Sequence, residues 1–137
     1  MSDGTIYTTD SESGTLFRKK PDQKMLTAIG ADGALRGACD GLYWHDGTLV
    51  GIQNGTNPGR VIRIALAEKG TGISGVTTLQ SHHHSEFAEP TTGAIAGGAL
   101  YAIANSYVGH FQSNGCIKDP DQLKPTAIIA IPLKSPP

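Results

Sequence analysis

A chain of 137 residues suits one domain with a single core, and 38% hydrophobic content is enough to fill it. The 11 basic and 12 acidic residues leave a net charge of −1, which excludes the one-signed field that suits nucleic acid or an anionic membrane. No apolar run approaches the roughly 18 residues of a membrane span, and 18 Gly with 8 Pro favour a turn-rich β protein.

In chain order, residues 3–10 (DGTIYTTD) predict a strand, and 14–18 (GTLFR) a second one after a Ser/Glu/Gly loop. A charged turn containing Pro21 leads to an outer strand over 25–29. A loop then delivers the chain to Cys39. The stretch from Cys39 to Leu66, CDGLYWHDGTLVGIQNGTNPGRVIRIAL, reads as three short strands cut by two turns. Asp46-Gly47 makes the first turn and the run from Asn54 to Gly59 the second. A polar turn at 68–75 leads to an outer strand from Val76, and a loop rich in His and Glu fills 80–90. Strands over 91–96 and 99–104 flank Gly97-Gly98. A long connection, 105–125, precedes a last strand at 127–131.

These elements repeat. A shift of 51 residues lays Gly47 on Gly98, Leu49 on Leu100, Ile52 on Ile103 and Asn54 on Asn105. A shift of 43 lays Asp46-Gly47-Thr48 on Asp3-Gly4-Thr5, and 14–18 resembles 59–63 with a shorter loop. A period of roughly 40–50 residues with about four strands points to β-propeller blades; an irregular β-sandwich is the alternative. The units fall at about 3–38, 39–80 and 90–133 of one partial propeller domain. The first begins at its second strand and the third stops at its third. The fold class expected is therefore all-β, a propeller fragment of about two and three-quarter blades, whose open ends call for further blades or self-association.

The Cys39 to Leu66 text resembles the gluconolactonase/senescence-marker-protein (regucalcin-like) family of six-bladed propellers. The residues that carry the likeness are Asp40-Gly41, Asp46-Gly47, 49–52, the Asn54 to Gly59 loop and 60–64. The resemblance implies the C-terminal half of a six-bladed, TolB-like propeller. It also implies one divalent metal, usually Ca2+, near the channel mouth, polarising the carbonyl of a small-molecule lactone. Asp40 is the position that matches, as metal ligand and catalytic base; the family usually has Pro before it, where this chain has Cys39. The family's other ligands have no counterpart here. Glu89 and Thr91, next to the strand entry that mirrors Asp40, are channel-mouth candidates.

The remaining chemistry-bearing residues read more plainly. Consecutive residues of an extended loop point to alternating sides, so His82, His83 and His84 match no zinc spacing and read as a solvated loop. His45 reads as a turn residue, and Tyr43 and Trp44 as packing between repeats. No serine has a G-x-S-x-G context, and Gly70-Thr71-Gly72 lacks the Lys and helix of a phosphate loop. Cys39 and Cys116, with no CxxC spacing, read as buried thiols, a disulfide being the alternative. The first ten residues lack a leader pattern, and the compartment stays open. The function that the resemblance implies is a metal-dependent hydrolase of lactones or related esters, incomplete on this chain. The alternative is a non-catalytic propeller that binds or scaffolds.

Overall fold

The computed structural model describes residues 3–30, 34–56, 58–81 and 83–134. Among them, strands form three separate antiparallel sheets in which sequence neighbours pair. The first sheet runs β1 (Ile6–Thr9), β2 (Leu16–Lys19), β3 (Thr27–Ala28). The second runs β4 (Gly41–His45), β5 (Thr48–Gln53), β6 (Arg60–Leu66), β7 (Ile73–Gln80). The third runs β8 (Gly93–Ala96), β9 (Ala99–Ile103), β10 (Ile128–Pro132). The chain is all-β, as its turn chemistry predicts.

Two hairpins explain why the strands meet where they do. Asp46 and Gly47 take φ of 43° and 76°, and Gly97 and Gly98 take 53° and 76°. Positive φ at both central residues is what a tight turn matching the right-handed twist of its strands requires. Glycine supplies it without a steric cost, and aspartate tolerates it. The registers His45↔Thr48 and Ala96↔Ala99 follow directly.

Packing shows how the sheets relate. Side chains of a strand alternate between faces, and all six residues of β5 are buried. Leu49, Ile62 and Ile64 join Leu16, Ile29 and Leu35 in one apolar cluster, between the first and second sheets. Val50, Ile52 and Val61 join Leu100, Ile129 and Ile131 in another, between the second and third. The second sheet is therefore covered on both faces. Burying a single Leu, Ile or Val contributes about 1.5–3 kcal/mol, so the stack is held chiefly by this middle layer.

The stacking itself repeats, residue for residue. Tyr7 pairs with Arg18 and Thr9 with Leu16 in the first sheet; Val50 pairs with Arg63 and Ile52 with Val61 in the second. Each set faces the following sheet, and each arginine reaches across to it. Arg18 Nη1 donates to Lys69 O at 2.7 Å and Gly70 O at 2.8 Å. Arg63 Nη2 donates to Lys134 O at 2.5 Å. Both receivers lie just past the third strand of the next sheet. Both Nε atoms are buried without a hydrogen-bond partner. The two arginines are cognate clamps.

Three stretches depart from the sequence reading. The outer strand expected over 25–29 shortens to Thr27–Ala28, extended by one hydrogen bond from Ile29 N–H to Leu16 O. Met25 and Leu26, at 79% and 49% exposure, never reach the sheet. β7 starts at Ile73 rather than Val76, because Glu68–Gly70 takes up the turn as a single 3-10 turn and bulges in the β6/β7 ladder absorb the extra residues. The 105–125 connection holds two further 3-10 turns, Val108–His110 and Pro120–Gln122, and a bridge between Phe111 and Ile117. Its stem is tied by the buried Asn105, whose Oδ1 accepts from Ala127 N–H and whose Nδ2 donates to Pro125 O.

Candidate functional site

Asp40 opens the first strand of the middle sheet. Its N–H donates to Ile52 O at 2.8 Å, extending the β4/β5 ladder by one bond. Its side chain is exposed, and no hydrogen bond or ion pair engages the carboxylate among the described residues. Gly41, which follows, is buried; a Cβ there would come within 2.6 Å of the Tyr43 hydroxyl. The backbone thus fixes where Asp40 enters the sheet while its carboxylate stays in solvent.

Thr91 occupies the cognate position in the third sheet. Its N–H donates to Ile103 O at 3.3 Å, as Asp40 does to Ile52, and Ile103 is the residue that the 51-residue shift lays on Ile52. The first strands of the two sheets touch through Tyr43. Its hydroxyl lies 3.1 Å from Thr92 Oγ1 and accepts from Gly93 N–H at 2.7 Å. Tyr43 therefore packs between repeats, as its sequence context suggests.

Glu89 is held differently. Its Oε2 accepts from Gly109 N–H at 3.3 Å, and its backbone O accepts from Ser106 N–H. Both contacts tie it to the 105–125 connection. No hydrogen bond or ion pair joins it to Asp40 or Thr91 among the described residues. His84 accepts from Glu86 N–H through Nδ1 at 3.3 Å, an intra-turn contact; His83 is exposed and His82 lies outside the described residues. His45 Nε2 lies 3.5 Å from Asp46 Oδ2 within its turn.

The donor set can be compared with the demands of calcium, which takes about 6–8 oxygen ligands. Among the described residues, no group of three or more His, Cys, Asp and Glu side chains converges to hold a metal ion. The free carboxylate of Asp40 is one ligand of the right chemistry. It does not fit a complete calcium site by itself, and no chemical step is assigned through a metal on this chain.

Cys39 borders this position. Its N–H donates to Thr9 Oγ1 at 3.2 Å, and Thr9 Oγ1 donates to Cys39 O at 3.3 Å, tying the end of β1 to the entry of β4. Burial pushes its thiol up to about 12, with the Asp40 carboxylate adding to the rise and Arg60 opposing it. A folded-state value above the unfolded one favours folding while the thiol is protonated. That contribution is complete below the ordinary thiol range and is lost as pH rises towards 12. Cys116 is exposed, and both cysteines are free thiols, so the buried reading holds for Cys39 in part and for Cys116 not at all. In native protein at pH 8, an iodoacetamide time course should modify Cys116 rapidly and Cys39 only upon unfolding; equal rates would contradict the burial of Cys39.

A feature that sequence reading missed lies between the first and second sheets, where β1 and β2 face β4 and the turn after β6. A cavity of about 770 Å³ is lined there by Tyr7, Arg18, Lys20, Trp44 and Lys69, among others. The Tyr7 and Trp44 rings stack at 6.2 Å between centroids and 12° between planes. Trp44 is the chain's only tryptophan, and its packing against the neighbouring repeat was legible. The approach of Lys69 to the same space as Arg18 and Lys20 was not, because nothing in local spacing links the turn after β6 to β2.

No protein-family model, no curated protein and no solved structure matches this chain.

Proposed function

We propose that the three sheets are consecutive blades of a six-bladed, regucalcin-like β-propeller, and that the assembled propeller is a metal-dependent hydrolase of lactones or related esters. The observation that carries this reading is the placement of Asp40. It stands at the entry of the middle sheet's first strand, backbone-anchored to Ile52 O and with an unengaged, exposed carboxylate. The repeated clamp of Arg18 and Arg63 supports the stacking of blades that the reading needs. The residues of this chain supply one oxygen ligand and fix its position; further blades supply the rest.

Calorimetric titration with Ca2+, paired with a pH-indicator assay on an aliphatic lactone, tests this on the assembled protein. Asp40→Asn should abolish both calcium binding and turnover, while His83→Ala should leave both unchanged. Full affinity and activity in Asp40→Asn would remove Asp40 from the site.

A second reading, a non-catalytic binding module, is favoured by the cavity beside β1. Stacked aromatics bordered by Arg18, Lys20 and Lys69, with the Asp3 carboxylate on the same rim, suit capture of a small polar molecule with an aromatic or apolar body. The lactone assay separates the two.

A further inference from the structure

The third sheet presents an outward face that is apolar along its whole length. Tyr101, Ile103, Ile128 and Ala130 point away from the second sheet, flanked by Ala94 and Pro132. Tyr101 is 45% exposed and Ile128 68%. A contiguous patch of this kind on a soluble chain marks an interaction surface.

The register says what this face is built to meet. Tyr101 pairs with Ala130, and Ile103 with Ile128. Those are the positions of Val50 with Arg63 and of Ile52 with Val61 in the second sheet, and of Tyr7 with Arg18 and of Thr9 with Leu16 in the first. In both of those sheets this face is covered by the next sheet. In the third, no sheet among the described residues covers it.

The opposite face of the first sheet is open in the complementary sense. Ile6 pairs with Lys19 and Thr8 with Phe17. They stand where Leu49 with Ile64 and Gly51 with Ile62 stand in the second sheet, and where Leu100 with Ile131 and Ala102 with Ile129 stand in the third. Those faces receive the preceding sheet. Ile6 is 58% exposed, Phe17 half-buried, and Lys19 sits at the strand end, where its stem can lie along apolar surface with its charge in water. One chain therefore carries both halves of an interface it already makes twice within itself.

We infer that a second copy of this chain docks head-to-tail, the outward face of its first sheet covering the third sheet of the other. The contact continues the two internal interfaces rather than inventing a new one. It is heterologous, so it joins different patches on the two copies. The clamp position is Ala130 instead of an arginine, which leaves the donor face uncharged and suited to the largely uncharged receiving face of Ile6, Thr8 and Phe17. The inference rests on the repeat of the sheets and not on Asp40, and its test contains no metal, so the two readings fail separately.

Light scattering on the purified chain should give at least twice the chain mass at micromolar concentration. Ile128→Glu, in the donor face, and Ile6→Glu, in the receiving face, should each reduce the species to monomer while circular dichroism stays that of the folded chain. Both residues are exposed, and Tyr101→Lys serves as a second donor-face variant should Ile128→Glu misfold. An equimolar mixture of Ile128→Glu and Ile6→Glu should recover a dimer, since each supplies the face the other lacks. A monomeric wild type would overturn the inference, leaving the face to a different protein. So would a dimer that survives Ile6→Glu, which would mean like faces pair, or a mixture that stays monomeric.

Discussion

Ile62→Ala should lower the unfolding free energy by about 2–5 kcal/mol, the range for truncating a buried aliphatic side chain to alanine. Ile62 is fully buried in β6, with strands hydrogen-bonded on both sides and the first sheet packed on its face. Its pairing partner is Gly51, where a Cβ would meet Cys39 Sγ at 2.6 Å and Ile62 Cγ1 at 3.4 Å. Space in this layer is already apportioned between Cys39 and Ile62. Removing three carbons from one leaves a cavity that the rigid ladder cannot close. Domains of this size are stable by only about 5–15 kcal/mol, so the variant should melt far below the wild type in urea. Val108→Ala, at a 55% exposed site, should change stability by no more than about 0.5 kcal/mol. Similar losses for the two variants would contradict a core centred on the middle sheet.

Gln53→Leu should be nearly as damaging, for a different reason. Gln53 is fully buried at the end of β5. Its Nε2 donates to Leu35 O at 2.8 Å and Gly37 O at 2.5 Å, and its Oε1 accepts from Arg60 Nε at 2.7 Å. Arg60 Nη2 also reaches Leu35 O, at 2.9 Å. Leucine matches the volume and removes all three contacts. Leu35 O keeps Arg60, but Gly37 O and Arg60 Nε are orphaned, and each buried unsatisfied group costs about 1–3 kcal/mol. Thermal melts should show the loss. Hydrogen exchange should show faster opening across 34–37, the loop this side chain fastens to the second sheet. A Gln53→Leu protein as stable as wild type would mean the network contributes nothing net.

What the sequence disclosed followed from local rules. Asp46-Gly47 and Gly97-Gly98 announce their turns because few residues accept positive φ, and the short apolar runs 48–53 and 60–66 between such turns place those strands. The shifts of 51 and 43 residues then align strands whose registers prove equivalent. The outer strand at 25–29 was overestimated because Met25, Leu26 and Ile29 look alike on the page, whereas only Ile29 is carried into the core. Arg63 reads as a polar strand position, yet it spans to the next sheet; a charge that pairs with a distant carbonyl leaves no mark in its own neighbourhood. The candidate site was legible to the extent of one position. Asp40 and Thr91 are cognate strand entries, visible in the repeat, but Glu89 is drawn to Gly109, a contact across 20 residues that spacing alone does not reveal.

The neck formed by Asn105 bears on how this chain can change over generations. One buried amide fastens both stems of the connection, through Ala127 N–H and Pro125 O, and Ala104 N–H reinforces it by donating to Ala127 O. Beyond that knot the connection is mostly exposed, and doubling the length of a flexible loop costs only about 0.6 kcal/mol in closure entropy. Insertions and substitutions there escape the constraints that govern the stack. Such a segment is where lineages diverge in what they recognise while their architecture stays the same.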